Sequence, residues 1–259
     1  MKSLVLPMLL IFSGCSLNEP DSKKELEVQT AELVTIPEKI QFPSEDSLLI
    51  TANLYHVSDS APTIVLCHQA RYNKFEYTGI ARTLHEMGYN CLAIDQRSGG
   101  GLVEEFNETM LEAERNGKPV EFLDAEQDIN AAVNFAANKY DQKIILWGSS
   151  YSSTLSLYIA IANPNVKAVI SFSPGDYFQD EKGSLQSLLI GFSKPMFVTS
   201  SREEAAETTA LLSQMKLLPG QMQFIPDSAG FHGSRALWRT SKNNEEYWLA
   251  VTNFLKNVD

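Results

Sequence analysis

The stretch Lys143-Ile144-Ile145-Leu146-Trp147-Gly148-Ser149-Ser150-Tyr151-Ser152, continuing as Ser153-Thr154-Leu155-Ser156-Leu157-Tyr158-Ile159-Ala160-Ile161-Ala162, decides how this chain folds. The run 143–147 is short and continuously apolar after its first residue, which fits a strand buried on both faces of a parallel sheet. Leu155, Tyr158, Ile159 and Ala162 then recur at helical spacing. Only Gly148 to Ser152 lie between, so strand passes into helix through one sharp turn. Residues two before and two after the apex of such a turn must be small for strand and helix to approach. Gly148 and Ser152 meet that need for Ser150. Ser149 as apex would be flanked by Trp147 and Tyr151, which are too bulky, and Ser152 would lack a flanking glycine.

Working outward, similar apolar runs stand at 63–67, 91–94, 167–172, 195–199 and 221–225. Helical stripes fill the gaps. Tyr77, Ile80, Ala81 and Leu84 share a face that ends at Gly88, and Ala125, Ile129, Ala132, Val133 and Ala136 form another. Tyr247, Trp248, Val251 and Leu255 form the last. Ahead of these, residues 38–42 and 48–55 flank the turn Pro43-Ser44-Glu45-Asp46 and read as an antiparallel edge hairpin. In it Ile50, Ala52 and Leu54 face one way, and Leu49, Thr51, Asn53 and Tyr55 the other. The expected fold class is α/β: a doubly wound, mostly parallel sheet with an N-terminal antiparallel hairpin. Ligands in such sheets bind beyond the carboxyl ends of the strands, so the residues just after each run carry the chemistry.

Set between strand and helix, Gly148-Ser149-Ser150-Tyr151-Ser152 resembles the nucleophile elbow G-x-S-x-G of the α/β-hydrolase family, with Ser152 in place of the last glycine. The resemblance covers residues 38–259 and is nearest the compact, dienelactone-hydrolase-like serine esterases. It implies Ser150 as nucleophile, with acid and histidine following in that chain order. His232, in Gly230-Phe231-His232-Gly233, is the one histidine after the elbow and stands in the loop after the last parallel run, where the family keeps its base. The family's acid position, counted from Pro195, falls nearest Glu204. Ser201-x-x-Glu204 and Ser200-x-x-Glu203 also read as capping boxes for the helix that follows. Glu203, Asp176 and Asp227 stay open as alternative acids. The resemblance further implies an oxyanion hole made by the amide of Tyr151 and one from His68-Gln69-Ala70, which is similar to the family's His-Gly turn. Ala70 is favoured there over Gln69, and His68 reads as a structural hydrogen-bonder. Asp95-Gln96-Arg97-Ser98-Gly99 resembles the D-x-R-x-G segment that shapes the sheet edge.

No metal-ligand cluster or phosphate-cradling glycine loop is read, so no cofactor is expected. A formal net charge of −11 argues against nucleic acid as partner. Residues 173–194 leave little room for a large lid, and 99–120 are the other candidate cover. Tyr72, Phe75, Tyr151, Tyr177, Phe178 and Phe231 stand near strand ends, where an acyl pocket would form.

The N-terminus carries Lys2, the apolar run Leu4 to Phe12, and Ser13-Gly14 before Cys15, the pattern of a secretory leader over 1–14. Phe12-Ser13-Gly14-Cys15 resembles the bacterial lipobox, with Phe12 where leucine is preferred, which implies lipidation of Cys15. Ordinary cleavage beside an incidental cysteine is the alternative. Residues 15–37 are polar and read as a tether, so a lipid-anchored protein of the bacterial envelope is expected, with the membrane and a small acyl substrate as partners. Cys67 and Cys91 stand at apolar strand positions and read as small hydrophobes rather than a disulfide. The functional expectation is a serine hydrolase cleaving an ester, or an amide, through an acyl-enzyme. A peptidase or acyltransferase on the same site, and a non-catalytic surface lipoprotein that keeps the fold for binding, stand as alternatives.

Overall fold

A computed structural model describes residues 36–102 and 104–258. The leader, Cys15 and nearly all of the tether lie outside the described residues. Eight strands form one sheet in the order β1 (Glu38–Pro43), β2 (Leu49–Tyr55), β4 (Asn90–Ile94), β3 (Thr63–Cys67), β7 (Ile144–Ser149), β8 (Val166–Phe172), β9 (Met196–Thr199) and β10 (Gln221–Phe224). β1 and β2 pair antiparallel, β2 joins β4 antiparallel, and every later pair is parallel. A two-stranded ladder of β5 (Gly101–Leu102) and β6 (Glu105–Phe106) stands apart. Every apolar run read from the sequence is therefore a strand. The sheet is mostly parallel and doubly wound, and the fold is that of the α/β hydrolases.

Alternate residues of each central strand enter opposite cores, as the period of two requires. Val65, Cys67, Leu92, Ile94, Ile144 and Leu146 pack beneath α3 (Ala125–Tyr140) and α4 (Tyr151–Ala162). Ile64, Leu66, Cys91, Ala93, Ile145 and Trp147 pack with α1 (Thr78–Glu86) and α8 (Asn244–Leu255). Each such fully buried Ile or Leu contributes about 1.5–3 kcal/mol relative to exposure. Cys67 and Cys91 are both free thiols inside these cores. α1 stops where expected: Gly88 takes a positive φ of 96°, and the Tyr89 amide closes back on the Leu84 carbonyl.

One expectation needs adjusting. β2 alternates in sequence, yet all its residues from Ile50 onward are buried. Within the hairpin, β1 alone lies at an edge of the sheet. α2 (Glu108–Arg115) covers β2, and the Thr51 amide donates to Thr109 Oγ1 at 2.9 Å. The same helix packs 108–115 against the hairpin side. Phe122, beyond it, reaches Tyr151, with ring centroids 4.8 Å apart. Residues 173–194 hold only α5 (Gln179–Lys182) and α6 (Leu185–Leu188), in keeping with a compact fold.

The parallel registers level the strand ends. Cys67 faces Gly148, Ser149 faces Phe172, and Phe172 faces Thr199. Residues 68–70, 150, 173 and 200–204 consequently emerge side by side at one edge of the sheet.

Candidate active site

The turn after β7 is as tight as its sequence demands. A Cβ on Gly148 would come within 2.4 Å of the Ser152 carbonyl oxygen and Ser153 Cα, so only glycine lets strand and helix meet. The serine at the position of the second glycine is accommodated because its hydroxyl is used. Ser152 Oγ accepts from the Ser149 amide (2.9 Å) and donates to the Cys67 carbonyl (2.8 Å). Ser150 itself has φ 59° and ψ −126°, a strained conformation that side chains other than glycine's seldom adopt. The surrounding elbow holds it there, with its hydroxyl raised above the first turn of α4.

His232 Nε2 is 2.8 Å from Ser150 Oγ, and His232 Nδ1 bonds Glu204 Oε1. An ionised carboxylate only accepts, so Glu204 fixes the imidazole proton on Nδ1 and leaves Nε2 to accept from the serine hydroxyl. Gly233 lets the His232 loop close over the elbow. Its φ is 71°, and a Cβ there would meet Ser149 Oγ at 2.5 Å.

Glu204 ends the turn that precedes α7 (Ala205–Leu212), and both readings of it hold together. Its Oε2 accepts from the Ser201 amide (3.1 Å), the Ser201 hydroxyl (2.9 Å) and the Ser173 hydroxyl (2.8 Å), while Oε1 faces His232. One oxygen closes the capping box and the other orients the imidazole. Burial works to raise the Glu204 pKa, but the bonds from His232, Ser173 and Ser201 outweigh it and bring it to about 2. The other candidate acids are not brought to the histidine. Glu203 and Asp227 are exposed, and Asp176 takes the Leu185 amide and Tyr158 hydroxyl, bracing the 173–194 loop.

On the oxyanion side, the Tyr151 amide opens α4, where first-turn N–H groups lack intrahelical acceptors. Its side chain is pinned by Gln96 Nε2 (2.9 Å) and by Ser98 Oγ (2.6 Å). Gln69 is corrected as a donor: its amide is already given to Glu76 Oε2 at 2.7 Å. That leaves Ala70 as the candidate of this loop. His68 is fully buried; burial lowers its pKa to about 4, and its Nε2 accepts from the Gln96 amide at 3.0 Å. It is a neutral brace, not a base. Arg97 and Asp95 are likewise consumed in ion pairs, Arg97 with Asp128 and Asp46, and Asp95 with Lys74.

Two residues beside the site have little local signal in the sequence. Tyr177, in the sequence only an aromatic near a strand end, stands in the wall of the hollow beside Glu204. Glu76 has no such signal, although it is buried among the site's loops. A cavity of about 380 Å³ opens beside Glu204, with Tyr177, Gln186, Glu207 and Leu211 in its wall. A second hollow of about 670 Å³ lies across Glu204, bordered by Arg202, Phe231 and His232.

Serine, histidine and glutamate thus stand hydrogen-bonded in a row on an α/β-hydrolase fold. No protein-family model matches the sequence, and comparison with curated proteins returns no match. Solved structures do match in fold. An esterase of Pyrococcus furiosus is similar at 18% identity and a TM-score of 0.64, covering 85% of this chain and 92% of its own. The esterase domain of a Rhodothermus marinus protein gives 16% identity and 0.59, covering 85% and 97%. An acylaminoacyl peptidase of Pyrococcus horikoshii gives 18% and 0.62 over 88% of this chain, but only 42% of that longer one.

Proposed function

We propose that this chain is a serine hydrolase that cleaves an ester through an acyl-enzyme on Ser150. The observation that carries the reading is the hydrogen-bonded row Ser150–His232–Glu204 on a strained, glycine-flanked turn. Ser150 Oγ attacks the carbonyl carbon while its proton passes to His232 Nε2. Glu204 stabilises the imidazolium and holds its tautomer. The amides of Tyr151 and Ala70 take the oxyanion; losing one such donor raises the barrier by roughly 2.7–4 kcal/mol. His232 then returns the proton to the leaving alcohol, and water repeats the sequence to free the acid.

The departures from the family pattern weigh little against catalysis. The Ser152 hydroxyl is spent inside the elbow, Gln69 contributes its amide elsewhere, and the acid is bonded to the histidine. A peptide bond is the second reading, favoured by the likeness to the acylaminoacyl peptidase. A fluorophosphonate probe tests the class: wild-type protein is labelled and Ser150→Ala is not. Equal labelling of the two would move the nucleophile elsewhere, and no labelling of folded wild type would leave a binding role.

We also propose that Cys15 is lipidated and that the hydrolase is held at a bacterial membrane by its tether. Cys15→Ser then releases the protein from the membrane fraction; unchanged partitioning would defeat the anchor.

A further inference from the structure

Beneath the reacting groups lies a second acid that the mechanism above does not use. Glu76, on a short 3-10 turn after β3, is 1% exposed. Its Oε2 accepts from the Gln69 amide at 2.7 Å and its Oε1 from the Ser149 hydroxyl at 2.8 Å. Ser149 Oγ in turn accepts from the Ser234 amide at 2.9 Å, and Trp238 Nε1 donates to the Glu76 carbonyl at 2.8 Å. Ser234 is held on its other side by Trp147 Nε1 and the Tyr77 hydroxyl. One carboxylate thus joins three loops. Gln69 immediately precedes the proposed oxyanion donor Ala70, Ser149 immediately precedes the nucleophile, and Ser234 stands two residues after the base.

A carboxylate this deep is costly unless each oxygen finds donors, and a neutral apolar residue would fill the space without that cost. The geometry uses it for something a hydrophobe cannot do: two acceptors at fixed spacing, one for each side of the site. We propose that Glu76 is a positioning residue for the reaction, its ionised carboxylate clamping the oxyanion loop to the nucleophile elbow and, through Ser149, to the histidine loop. This rests on the reading of Ser150 as nucleophile.

The clamp responds to pH. Burial pushes the Glu76 carboxyl up to about 7, against the Gln69 amide and the Ser149 hydroxyl, which favour the anion. The titratable groups around it are Tyr77 from its own turn, Cys67 from β3, and His232 and Arg235 from the histidine loop. Lys74, on the same turn, is committed to Asp95 and Glu108. A proton on Oε1 would turn the carboxyl into a donor toward Ser149 Oγ and displace the serine's own hydrogen. The clamp in which both oxygens accept therefore belongs to the anion, which prevails above neutrality.

The test is the rate of fluorophosphonate labelling between about pH 5 and 9 for wild type, Glu76→Gln, Glu76→Asp and Ser149→Ala, each checked for folding by thermal melt. Glu76→Gln should label about 10- to 100-fold more slowly at high pH, below the 10²–10³ expected for outright loss of an oxyanion donor. Its profile should keep the dependence set by the imidazole and lose the part of the wild-type fall toward acid that Glu76 carries. Glu76→Asp, which keeps an anion, should restore that part. Should Glu76→Gln not fold, Ser149→Ala decides, because it cuts the bridge and keeps the charge: labelling about tenfold slower supports the clamp, and a wild-type rate overturns it. A folded Glu76→Gln with the wild-type rate and profile overturns the clamp and leaves Ser150 as nucleophile untouched. Absence of wild-type labelling sinks both.

Discussion

The rim of the sheet and the floor beneath it each hold a glutamate, and the two are bonded almost alike. Glu204 at the rim and Glu76 in the floor each take a backbone amide and a serine hydroxyl. They differ in water and in the imidazole. Glu204 keeps 28% of its side chain exposed and faces His232, and its pKa falls to about 2. Glu76 is sealed from solvent, and its pKa rises to about 7. Similar amide and hydroxyl bonds therefore accompany an anion held low in one place and a carboxyl held high in the other. Deeper burial raises Glu76, and the imidazole with a second serine hydroxyl lowers Glu204, so desolvation and bonding together separate the two acids.

The comparison can be broken first at the reacting atoms. Ser150→Ala should cut ester hydrolysis by about 10⁴-fold or more, since neither carboxylate acts without the nucleophile. Glu204→Gln comes next, with a loss of about 10³–10⁴ in kcat, because an amide no longer holds the proton on Nδ1. Glu203→Gln, one residue away but exposed, should stay within about twofold. A reversed ranking in steady-state assays would move the acid's role to Glu203.

The smaller effects are on stability. Gly148→Ala should destabilise by about 1–3 kcal/mol or more, read as a lower Tm, because the added Cβ meets backbone that cannot retreat. The two acids should also bend the pH–stability curve in opposite senses. Glu204, lowered from 4.5 to about 2, contributes stability above pH 4.5 that is lost as the pH falls toward 2. Glu76, raised from 4.5 to about 7, keeps in the folded state a proton that the unfolded chain releases, so its contribution declines as pH rises from 4.5 to 7. Melting curves of Glu204→Gln should flatten the acid side, and those of Glu76→Gln the neutral side. Identical slopes for both variants would show that the two environments do not differ.

Much of the rim was legible in sequence because its signals are local. Gly148, Ser150 and Ser152 lie within one turn, and the apolar runs that become strands are continuous. The strand ends and the loop carrying His232 followed from the order of these runs. Glu204 reads as cap or as acid, and the two readings do not compete, since one oxygen takes the Ser201 amide and the other bonds His232. The floor was illegible for the opposite reason. In Lys74-Phe75-Glu76-Tyr77 the acid looks like an ordinary charge on a short solvated turn. What buries it are Ser149, Ser234 and Trp238, far away along the chain, and no local pattern announces their meeting. The choice between Gln69 and Ala70 turns on the same carboxylate, which takes the Gln69 amide away from the oxyanion side. β2 fell between the two cases: its alternation was visible, but the helix that covers its outer face was not.

The central claim is that Ser150 is acylated, and it can be weighed directly. Wild-type protein mixed with p-nitrophenyl acetate and quenched in acid within the first turnover should gain one acetyl group, mapped by peptide mass spectrometry to Ser150. Ser150→Ala should gain none there. An acetyl group that maps to another residue, or appears equally in Ser150→Ala, would contradict the account.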